Sequence, residues 1–353
     1  MPAAERESSP TRATLVDVAA LAGVTPGTAS KAINGRGSLR PETRKRILDA
    51  AEKLNFQPNA LAQSLLSGRS WTVGLITTDS IGRFSIPVLL GAEDALGAGQ
   101  ISVLLCDTRG DAIRERHHLR ALTARGVDGI IVAGRRTDPR PPLPGPLGVP
   151  TVYALGPSDD PHDSSVVSDD AHGVRLAIHH LADGGRTRIA HITGPDHHAA
   201  ATARAEHTRA ELGLLGLELA TGRVHHGDWS EAWGRQAADI VLRAAPDCDA
   251  FFCGNDQIAR GVADTLRESG HRIPQDIAVV GYDNWDVMAL ASRPPLTTVD
   301  TNLVEVGRVA ALRLMDAIDG NPHHGTESVP CRLMIRESTG PRTGPRTGPR
   351  TGN

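Results

Sequence analysis

The sequence contains no run of about 18 consecutive apolar residues, which is the length a helix needs to cross a membrane. Residues 1–12 are short of apolar side chains and lack the hydrophobic segment of a secretory signal. Both absences argue against contact with a membrane or export through one. We therefore expect a cytoplasmic protein.

Cysteine is scarce, with only Cys106, Cys248, Cys253 and Cys331, and no two of them have the C-x2-C spacing of a metal site. In a reducing compartment they are most simply reduced core residues. Adjacent histidines occur at 117/118, 179/180, 197/198, 225/226 and 323/324. Neighbouring side chains point apart on a helix or a strand, and these pairs lack acidic or cysteine partners at ligand spacing. We predict no metal and no cofactor.

Enzyme motifs are missing as well. The sequence has no Gly-x4-Gly-Lys-Ser/Thr, no Gly-x-Ser-x-Gly and no His-Glu-x2-His. The acidic pair Asp169-Asp170 is explained more simply as the cap of a helix. We therefore expect no catalytic activity.

A helix-turn-helix pattern lies between Thr14 and Asn34. A first helix over about Val16 to Ala22 stops at Gly23, a residue that tolerates the positive φ of a tight turn. Thr25 then caps a second helix, which has Pro26 at its first position. The apolar residues expected to pack the two helices together are Val18, Ala22, Val24, Ala29 and Ile33. The residues left to face a DNA major groove are Thr28, Ser30, Lys31 and Asn34.

The run from Arg40 to Asn59 predicts a third helix, and a short segment ending near Gly68 follows it. The apolar residues predicted on one side of the third helix are Ile47, Leu48, Ala51 and Leu54. This ordered succession resembles the headpiece and hinge helix of the LacI/GalR family of bacterial transcriptional regulators. The resemblance implies a homodimer that binds a near-palindromic double-stranded DNA operator, and hence a protein associated with the nucleoid.

In that family, the two positions after the Ser or Thr of the turn usually carry base-reading side chains. Pro26 and Gly27 occupy them here, and neither can donate a side-chain hydrogen bond. We therefore expect Lys31 to read guanine, and Leu65 of the hinge to wedge into a base step in the minor groove. The DNA-contact residues predicted in all are Thr14, Thr25, Thr28, Ser30, Lys31, Asn34, Asn59, Ala62 and Leu65. Arg36, Arg44 and Arg46 are interpreted as phosphate contacts or solvated charges.

From Trp71 onward, short strand patterns alternate with helical ones, which is typical of a parallel sheet covered by helices. The predicted strands are 73–77, 102–106, 129–133, 151–154, 188–193, 250–254 and 277–281. The predicted helices are 87–98, 114–125, 171–183, 199–215, 230–244 and 256–269. The Pro-rich segment 138–150 is interpreted as a surface loop. This length exceeds one small doubly wound unit, so we expect two lobes with a cleft between them.

This region resembles the periplasmic-binding-protein-like effector domain of the same family. Ligands of doubly wound sheets bind beyond the carboxyl ends of the strands. The residues predicted there are Asp79, Phe84, Arg204, Trp229, Asn255, Asp256 and Asp283. The two-pronged donor of an arginine, an amide, a carboxylate and an aromatic ring together suit a neutral polyol such as a sugar. Two alternatives stay open: Asn255-Asp256 as a helix cap, and Trp229 as ordinary core.

The predicted fold class is α/β, with a helix-turn-helix headpiece and a two-lobed effector domain built on parallel sheets. The predicted divisions are a disordered arm 1–13, a DNA-binding domain 14–58, a hinge helix and linker 59–70, an effector domain 71–338 and a disordered Thr-Gly-Pro-Arg tail 339–353. Residues 1–70 carry ten Lys or Arg and six Asp or Glu, whereas the remainder carries 28 and 35. A basic N-terminal region on an otherwise acidic chain is typical of a protein whose N-terminal domain contacts nucleic-acid phosphates.

These features predict a transcriptional repressor whose affinity for DNA is controlled by a small ligand, expected to be a sugar. The hinge provides the link, because an isolated helix of about ten residues is only marginally stable in water. The alternative is a cytoplasmic sugar-binding protein without a role on DNA. A transport receptor is a further rival, but it would need a signal peptide and would not need residues 14–65.

Overall fold

The computed structural model describes residues 13–33, 37–56, 68–97, 101–145 and 147–340. The chain falls into two compact units, divided between Ser70 and Trp71. The first unit contains the helix-turn-helix pattern, and the second contains both sheets. Among the described residues, none of the helices combines the length and the apolar character that a membrane span requires.

The first unit, hereafter the headpiece, consists of helices α1 (Leu15–Ala22), α2 (Pro26–Ile33) and α3 (Pro41–Lys53). Thr14 caps α1 in a reciprocal pair with Asp17, and Gly23 ends it with φ of 64°. The fully buried core residues are Val18, Ala19, Ala22, Ala29, Ala32, Ile47 and Ala50. The predicted packing of α1 against α2 is thereby confirmed.

The third helix differs from its prediction in two respects. Leu48 is 47% exposed, and Ala50 is buried on the inner face instead. Arg46 is not a free surface charge, because its Nε donates to the carbonyl oxygen of Ala22 at 2.9 Å. Arg46 thus satisfies a carbonyl that the end of α1 leaves without a helical partner.

The second unit, hereafter the effector unit, contains two six-stranded sheets. The N-terminal lobe has strand order β11-β5-β4-β3-β1-β2, and the C-terminal lobe has β12-β10-β9-β8-β6-β7. Their bounds are β1 Thr72–Thr77, β2 Ser102–Asp107, β3 Gly129–Ala133, β4 Thr151–Ala154, β5 Ser164–Asp169, β6 Ile189–Thr193, β7 His225–His226, β8 Ala250–Cys253, β9 Ala278–Tyr282, β10 Thr297–Asp300, β11 Gly325–Pro330 and β12 Arg332–Met334. Neighbouring strands run parallel, except that β12 runs antiparallel to β10. The predicted α/β class with parallel sheets is confirmed.

The helices of the effector unit are α4 Ser85–Ala95, α5 Ala112–Ala124, α6 Asp170–Asp183, α7 Ala199–Leu214, α8 Glu231–Ala244, α9 Asp256–Glu268, α10 Asp286–Ala289 and α11 Leu303–Ile318. The predicted strands and helices match to within a few residues at either end. Sequence reasoning missed β5, β7, β10, β11, β12, α10 and α11. All four cysteines are free thiols, and three of them are buried, while Cys106 on β2 is half-buried.

Helix α11 returns the chain from the C-terminal lobe to the core of the N-terminal lobe. Its apolar residues, including Val306 and Leu314, pack in one cluster with Val73 and Leu75 of β1. Glycine permits a close approach of α11 to α4, since a Cβ on Gly91 would collide with the backbone of Val304. The chain therefore passes between the lobes after β5, β10 and β11, and each passage is a point about which the lobes can pivot.

The predicted tail begins too early. Thr339 is buried, and its hydroxyl lies 2.8 Å from Nε2 of His180 and 2.7 Å from the hydroxyl of Thr297. The carbonyl oxygen of Gly340 accepts from the buried guanidinium of Arg186 at 3.4 Å. The assignment of 339–340 to a disordered tail is therefore wrong. Residues 341–353 lie outside the described part of the chain.

Candidate functional site

A cavity of about 330 Å³ lies between the two lobes of the effector unit. Its walls come mainly from segments that follow the carboxyl ends of strands in both sheets, which is where doubly wound sheets bind ligands. The lining residues are Arg83, Phe84, Arg135, Arg136, Thr137, Asp138, Leu155, Ser168, Asp170, His198, Ala200, Arg204, Trp229, Asn255, Asp283 and Thr301. Its chemistry combines guanidinium, carboxylate, amide, hydroxyl and aromatic groups.

Arg204 on α7 is the most enclosed cation of the cavity, with only 4% of its surface exposed. Its Nε donates to Asp170 at 3.0 Å and its Nη1 donates to the carbonyl oxygen of Gly254 at 2.6 Å. The guanidinium also lies 3.7 Å from the centre of the Tyr282 ring. Burial opposes the charge, but Asp170, Tyr282 and Asp283 outweigh it and raise the pKa of Arg204. The group is thus a fixed cation in a set position.

Asp170 is a cavity residue that sequence reasoning assigned to helix capping. The cap of α6 is Asp169, which accepts from the backbone N–H of His172 at 2.8 Å. Asp170 instead accepts from Arg204 and, at 2.7 Å, from the hydroxyl of Tyr282. The sequence did contain a signal for this role: a helix cap needs one carboxylate, and two follow each other here, Asp169 and Asp170.

Asp283 follows β9 and joins the two lobes. Its carboxylate pairs with Arg83, which follows β1 in the other sheet, and lies 3.8 Å from Nη1 of Arg204. Its backbone has φ of 94°, a conformation that L-residues rarely adopt and that is found at functional sites. Sequence reasoning missed Arg83, although it lies in the loop where Asp79 and Phe84 were predicted.

Trp229 forms a wall of the cavity. Its indole Nε1 donates to Nδ1 of His198 at 2.8 Å, and its ring lies against Gly194, where a Cβ would overlap it. The ring also lies 6.0 Å from the guanidinium carbon of Arg204. Trp229 packs against the core of the C-terminal lobe and lines the cavity at the same time. From the sequence, His198 was considered only as a member of an adjacent histidine pair, for which no metal was predicted, and it was not assigned to the cavity.

Asn255 combines the two roles that the sequence left open. It caps α9 through its Oδ1, which accepts from the N–H of Ile258 at 2.8 Å, and it also lines the cavity. Phe84 lines the cavity from the other lobe. The structure therefore brings together Phe84, Arg204, Trp229, Asn255 and Asp283.

Two predicted ligand residues lie away from the cavity lining. Asp79 accepts from the N–H groups of Phe84 and Ser85 at 2.7 and 2.9 Å, so it organises the start of α4. Asp256 is fully buried and accepts from the N–H of Trp285 at 2.7 Å and the hydroxyl of Thr298 at 2.6 Å. Burial, followed by the charge of Asp283, raises the pKa of Asp256 to about 8. Both carboxylates are engaged in holding the loops that carry cavity residues.

The segment after β3 contributes a side of the cavity that sequence reasoning assigned to a surface loop. Asp138 accepts from the N–H of Ala199, at the start of α7, at 2.8 Å, and it pairs with Nε of Arg136 at 3.0 Å. Arg136 in turn lies 3.0 Å from Nε2 of His198. The start of this Pro-rich segment therefore contacts the opposite lobe.

In the headpiece, several predicted DNA-contact residues also hold the helices. Thr14 caps α1, and the hydroxyl of Thr25 lies 2.9 Å from that of Thr28 and accepts from its N–H at 3.3 Å. Lys31 on α2 is exposed, while Ser30 is half-buried. Asn34, Asn59, Ala62 and Leu65 lie outside the described residues.

Comparison with known proteins identifies both units. Residues 14–59 match the model of bacterial regulatory proteins of the lacI family, and residues 178–339 match a periplasmic binding protein-like domain. The chain is 35% identical over 336 residues to the HTH-type transcriptional regulator CelR of Thermobifida fusca, covering 93% of this chain and 98% of CelR. The chain belongs to the lacI family.

Solved structures of lacI-family proteins share the fold. A complex of the transcriptional regulator CelR with cellobiose is 33% identical, with a TM-score of 0.65, and covers 93% of this chain and 100% of that one. A lac repressor dimer bound to operator and the anti-inducer ONPF is 26% identical, with a TM-score of 0.71, and covers 94% and 100%. This lacI-family chain is accordingly a DNA-binding transcriptional regulator and not an enzyme. The reading as a sugar-binding protein without a DNA role is not favoured.

Proposed function

We propose that this lacI-family regulator is a repressor that binds a near-palindromic operator as a homodimer in the cytoplasm, and that a carbohydrate in the cleft sets its affinity for DNA. The observation that carries the ligand assignment is the convergence of Arg204, Asp283, Asn255 and Trp229 on one cavity. A guanidinium or a carboxylate can form two hydrogen bonds to vicinal hydroxyls, and the face of an indole can pack against the C–H side of a sugar ring. The cellobiose complex of CelR supports the same ligand class.

Dimerisation is supported by apolar side chains exposed on two helices of the N-terminal lobe. Ile86 and Leu90 on α4 are 41% and 52% exposed, and Val304 and Leu312 on α11 are 47% and 38% exposed. The two helices pack against each other, so these side chains share one region of the surface. Apolar groups gathered on one surface favour association with a second copy. The lac repressor in the matching structure is a dimer.

The ligand is tested by thermal-shift measurements on the full chain with a panel of neutral and acidic sugars, nucleobases and amino acids. Stabilisation by a sugar supports the proposal, because a ligand that binds only the folded state raises its melting temperature. A response confined to nucleobases or amino acids would overturn the assignment of a carbohydrate.

The DNA function is tested with a duplex selected by the wild-type protein from a randomised palindromic library. Fluorescence anisotropy compares the wild type with Lys31→Ala and Leu65→Ala, and with Lys53→Ala, which removes an exposed lysine at the end of α3. Lys31→Ala should relax discrimination at one base position by about 1–3 kcal/mol. Lys53→Ala should leave discrimination unchanged. Unchanged affinity and unchanged sequence preference in both Lys31→Ala and Leu65→Ala would defeat the model.

A further inference from the structure

Two hydrogen-bond donors approach the imidazole of His198 in the effector cavity. The indole Nε1–H of Trp229 points at Nδ1 from 2.8 Å, and Nη1 of Arg136 lies 3.0 Å from Nε2. An indole and a guanidinium donate only, and a neutral imidazole has a single nitrogen that accepts. The ring of His198 therefore cannot accept from both neighbours.

The contact with Trp229 determines which nitrogen accepts. The indole is held against Gly194, whereas the side chain of Arg136 is 51% exposed and can move. Nδ1 of His198 thus accepts from Trp229, and Nε2 carries the proton. Burial, followed by the charge of Arg136, lowers the pKa of His198, which favours the neutral ring. As a result, Nε2–H of His198 and Nη1–H of Arg136 are adjacent donors to which the described residues supply no acceptor.

The charges around these donors are not balanced. Four arginines line the cavity, Arg83, Arg135, Arg136 and Arg204, against three carboxylates, Asp138, Asp170 and Asp283. Asp170 and Asp283 pair with Arg204 and Arg83, and Asp138 pairs with Arg136. Arg135 is exposed and forms no ion pair within the described part of the chain. The excess of positive charge is therefore on the side of the cavity that holds Arg135, Arg136 and His198, hereafter the basic subsite.

The N-terminal end of α7 adds to the positive potential on this side of the cavity. Its first turn contains no acidic residue, and Ala200 in that turn lines the cavity. The first N–H of the helix already binds a carboxylate oxygen, that of Asp138. The positive end of a helix dipole and oriented N–H groups stabilise oxyanions.

We propose that the effector is a carbohydrate bearing an anionic oxygen group, a carboxylate or a phosphate, which binds at the basic subsite. An oxyanion there accepts from Nε2–H of His198 and Nη1–H of Arg136, and it balances the charge of Arg135. The hydroxyl-bearing part of the ligand then lies toward Arg204, Asn255 and Trp229. This inference rests on the proposed binding of a carbohydrate in the cleft.

The test is isothermal titration calorimetry on the full chain with matched ligands. The pairs are cellobiose with cellobionate, and glucose with gluconate and with glucose 6-phosphate, and inorganic phosphate is added alone. We expect an anionic member to bind at least about tenfold more tightly than its neutral partner, because hydrogen bonds to a charged group are stronger than those between neutral groups. A preference for gluconate or for glucose 6-phosphate distinguishes a carboxylate from a phosphate.

Substitutions test whether the basic subsite causes the preference for anionic ligands. Arg136→Gln and Arg135→Gln should each lower the affinity for the anionic ligand by a clearly larger factor than the affinity for its neutral partner, and so remove most of the advantage of the anionic ligand. Arg114→Gln is the matched control, since Arg114 is an exposed arginine on α5 of the same lobe outside the cavity lining, and it should have no effect.

The outcomes separate this inference from the proposed function. Neutral sugars that bind as tightly as their anionic partners, or equal losses for both kinds of ligand in the two variants, would overturn the anionic subsite and leave the proposed function standing. Binding of inorganic phosphate as tight as that of glucose 6-phosphate would show that the sugar part is not recognised, and it would overturn the inference as stated. Failure of every carbohydrate to bind would overturn the proposed function and this inference together.

Discussion

Arg83 and Asp283 form an ion pair that joins the two lobes of the effector unit across the cleft. Arg83 follows β1 of one sheet and Asp283 follows β9 of the other, and their side chains are only 13% and 11% exposed. Arg83 also donates to Gln257 at 3.2 Å and lies over the ring of Trp285. Screening by solvent is weak for such a pair, so it contributes to holding the lobes together.

Substitution Arg83→Met should loosen this closed arrangement. We expect faster amide hydrogen exchange in the loops 79–84 and 283–285 of the full chain, because the bridge to Asp283 and Gln257 is lost. Arg140→Met is the control: the ion pair of Arg140 with Glu115, at 3.0 Å, lies within the N-terminal lobe. Equal exchange in those loops for both variants would show that the bridge does not restrain the lobes.

Substitution Arg204→Met should destabilise the effector unit by about 3–5 kcal/mol, because it removes a buried cation and leaves the carboxylate of Asp170, which is only 15% exposed, without its partner. Urea denaturation followed by tryptophan fluorescence measures the change. The comparison is Arg235→Met, which breaks ion pairs with Asp264 and Glu268 on the surface and should cost little. If the two variants unfolded at the same urea concentration, the buried network would have no special role in stability.

Asp256→Asn should change the pH dependence of stability. The pKa of Asp256 is raised from 3.8 to about 8 in the folded protein, first by burial. Between these values the native state retains a proton that the unfolded chain has released, so stability falls as pH rises through this window. Asparagine removes the titration; its amide oxygen can still accept from the N–H of Trp285, and its NH2 can donate to the hydroxyl of Thr298, which reverses the direction of that bond. The unfolding free energy of the variant should therefore decline less between pH 5 and pH 9, by about a few kcal/mol.

The control for the pH series is Asp239→Asn, which changes an exposed carboxylate on α8. It should follow the wild-type pH profile. A wild-type profile identical to that of Asp256→Asn would mean that Asp256 is ionised in the folded protein at neutral pH.

Gly194→Ala should impair the cavity wall. A Cβ at this position overlaps the indole of Trp229, so the ring must move and its hydrogen bond to His198 is broken. We expect a cost of about 1–3 kcal/mol, a shift in tryptophan emission and weaker effector binding. Gly213→Ala is the matched control within α7, where a Cβ meets open space. It should stabilise the helix by about 0.5–1 kcal/mol, and a similar loss of binding in both variants would argue against the role given to Trp229.

Local signals predicted most elements of the fold. The end of α1 at Gly23 and the strand patterns of β1, β3 and β4 depend on residues a few positions apart, so the sequence shows them directly. Helix α11 was missed, although it is long and carries part of the N-terminal core. The chain returns from the C-terminal lobe to the N-terminal lobe just before α11. No short-range sequence pattern indicates such a return, so the position of α11 could not be predicted.

The cavity residues likewise divide into those that the sequence could predict and those that it could not. Arg204, Asn255 and Asp283 could be proposed because each follows a strand and carries suitable chemistry. Asp79 and Asp256 satisfied the same criterion, but their carboxylates accept bonds from nearby loops instead. Position after a strand brings a residue to the correct edge of the sheet. It does not determine whether its side chain faces the cavity or a backbone N–H group.

The sequence by itself determined the order of helices and strands, the helix-turn-helix unit and the membership of the family. Those features arise from local periodicity, caps and motifs, whose physical causes act over a few residues. Only the tertiary structure decided that Arg83 meets Asp283, 200 residues away, and that Asp170 holds Arg204. It also placed Arg136 beside His198. Electrostatic partners act through space, so their pairing depends on how the two lobes pack and not on the order of residues along the chain.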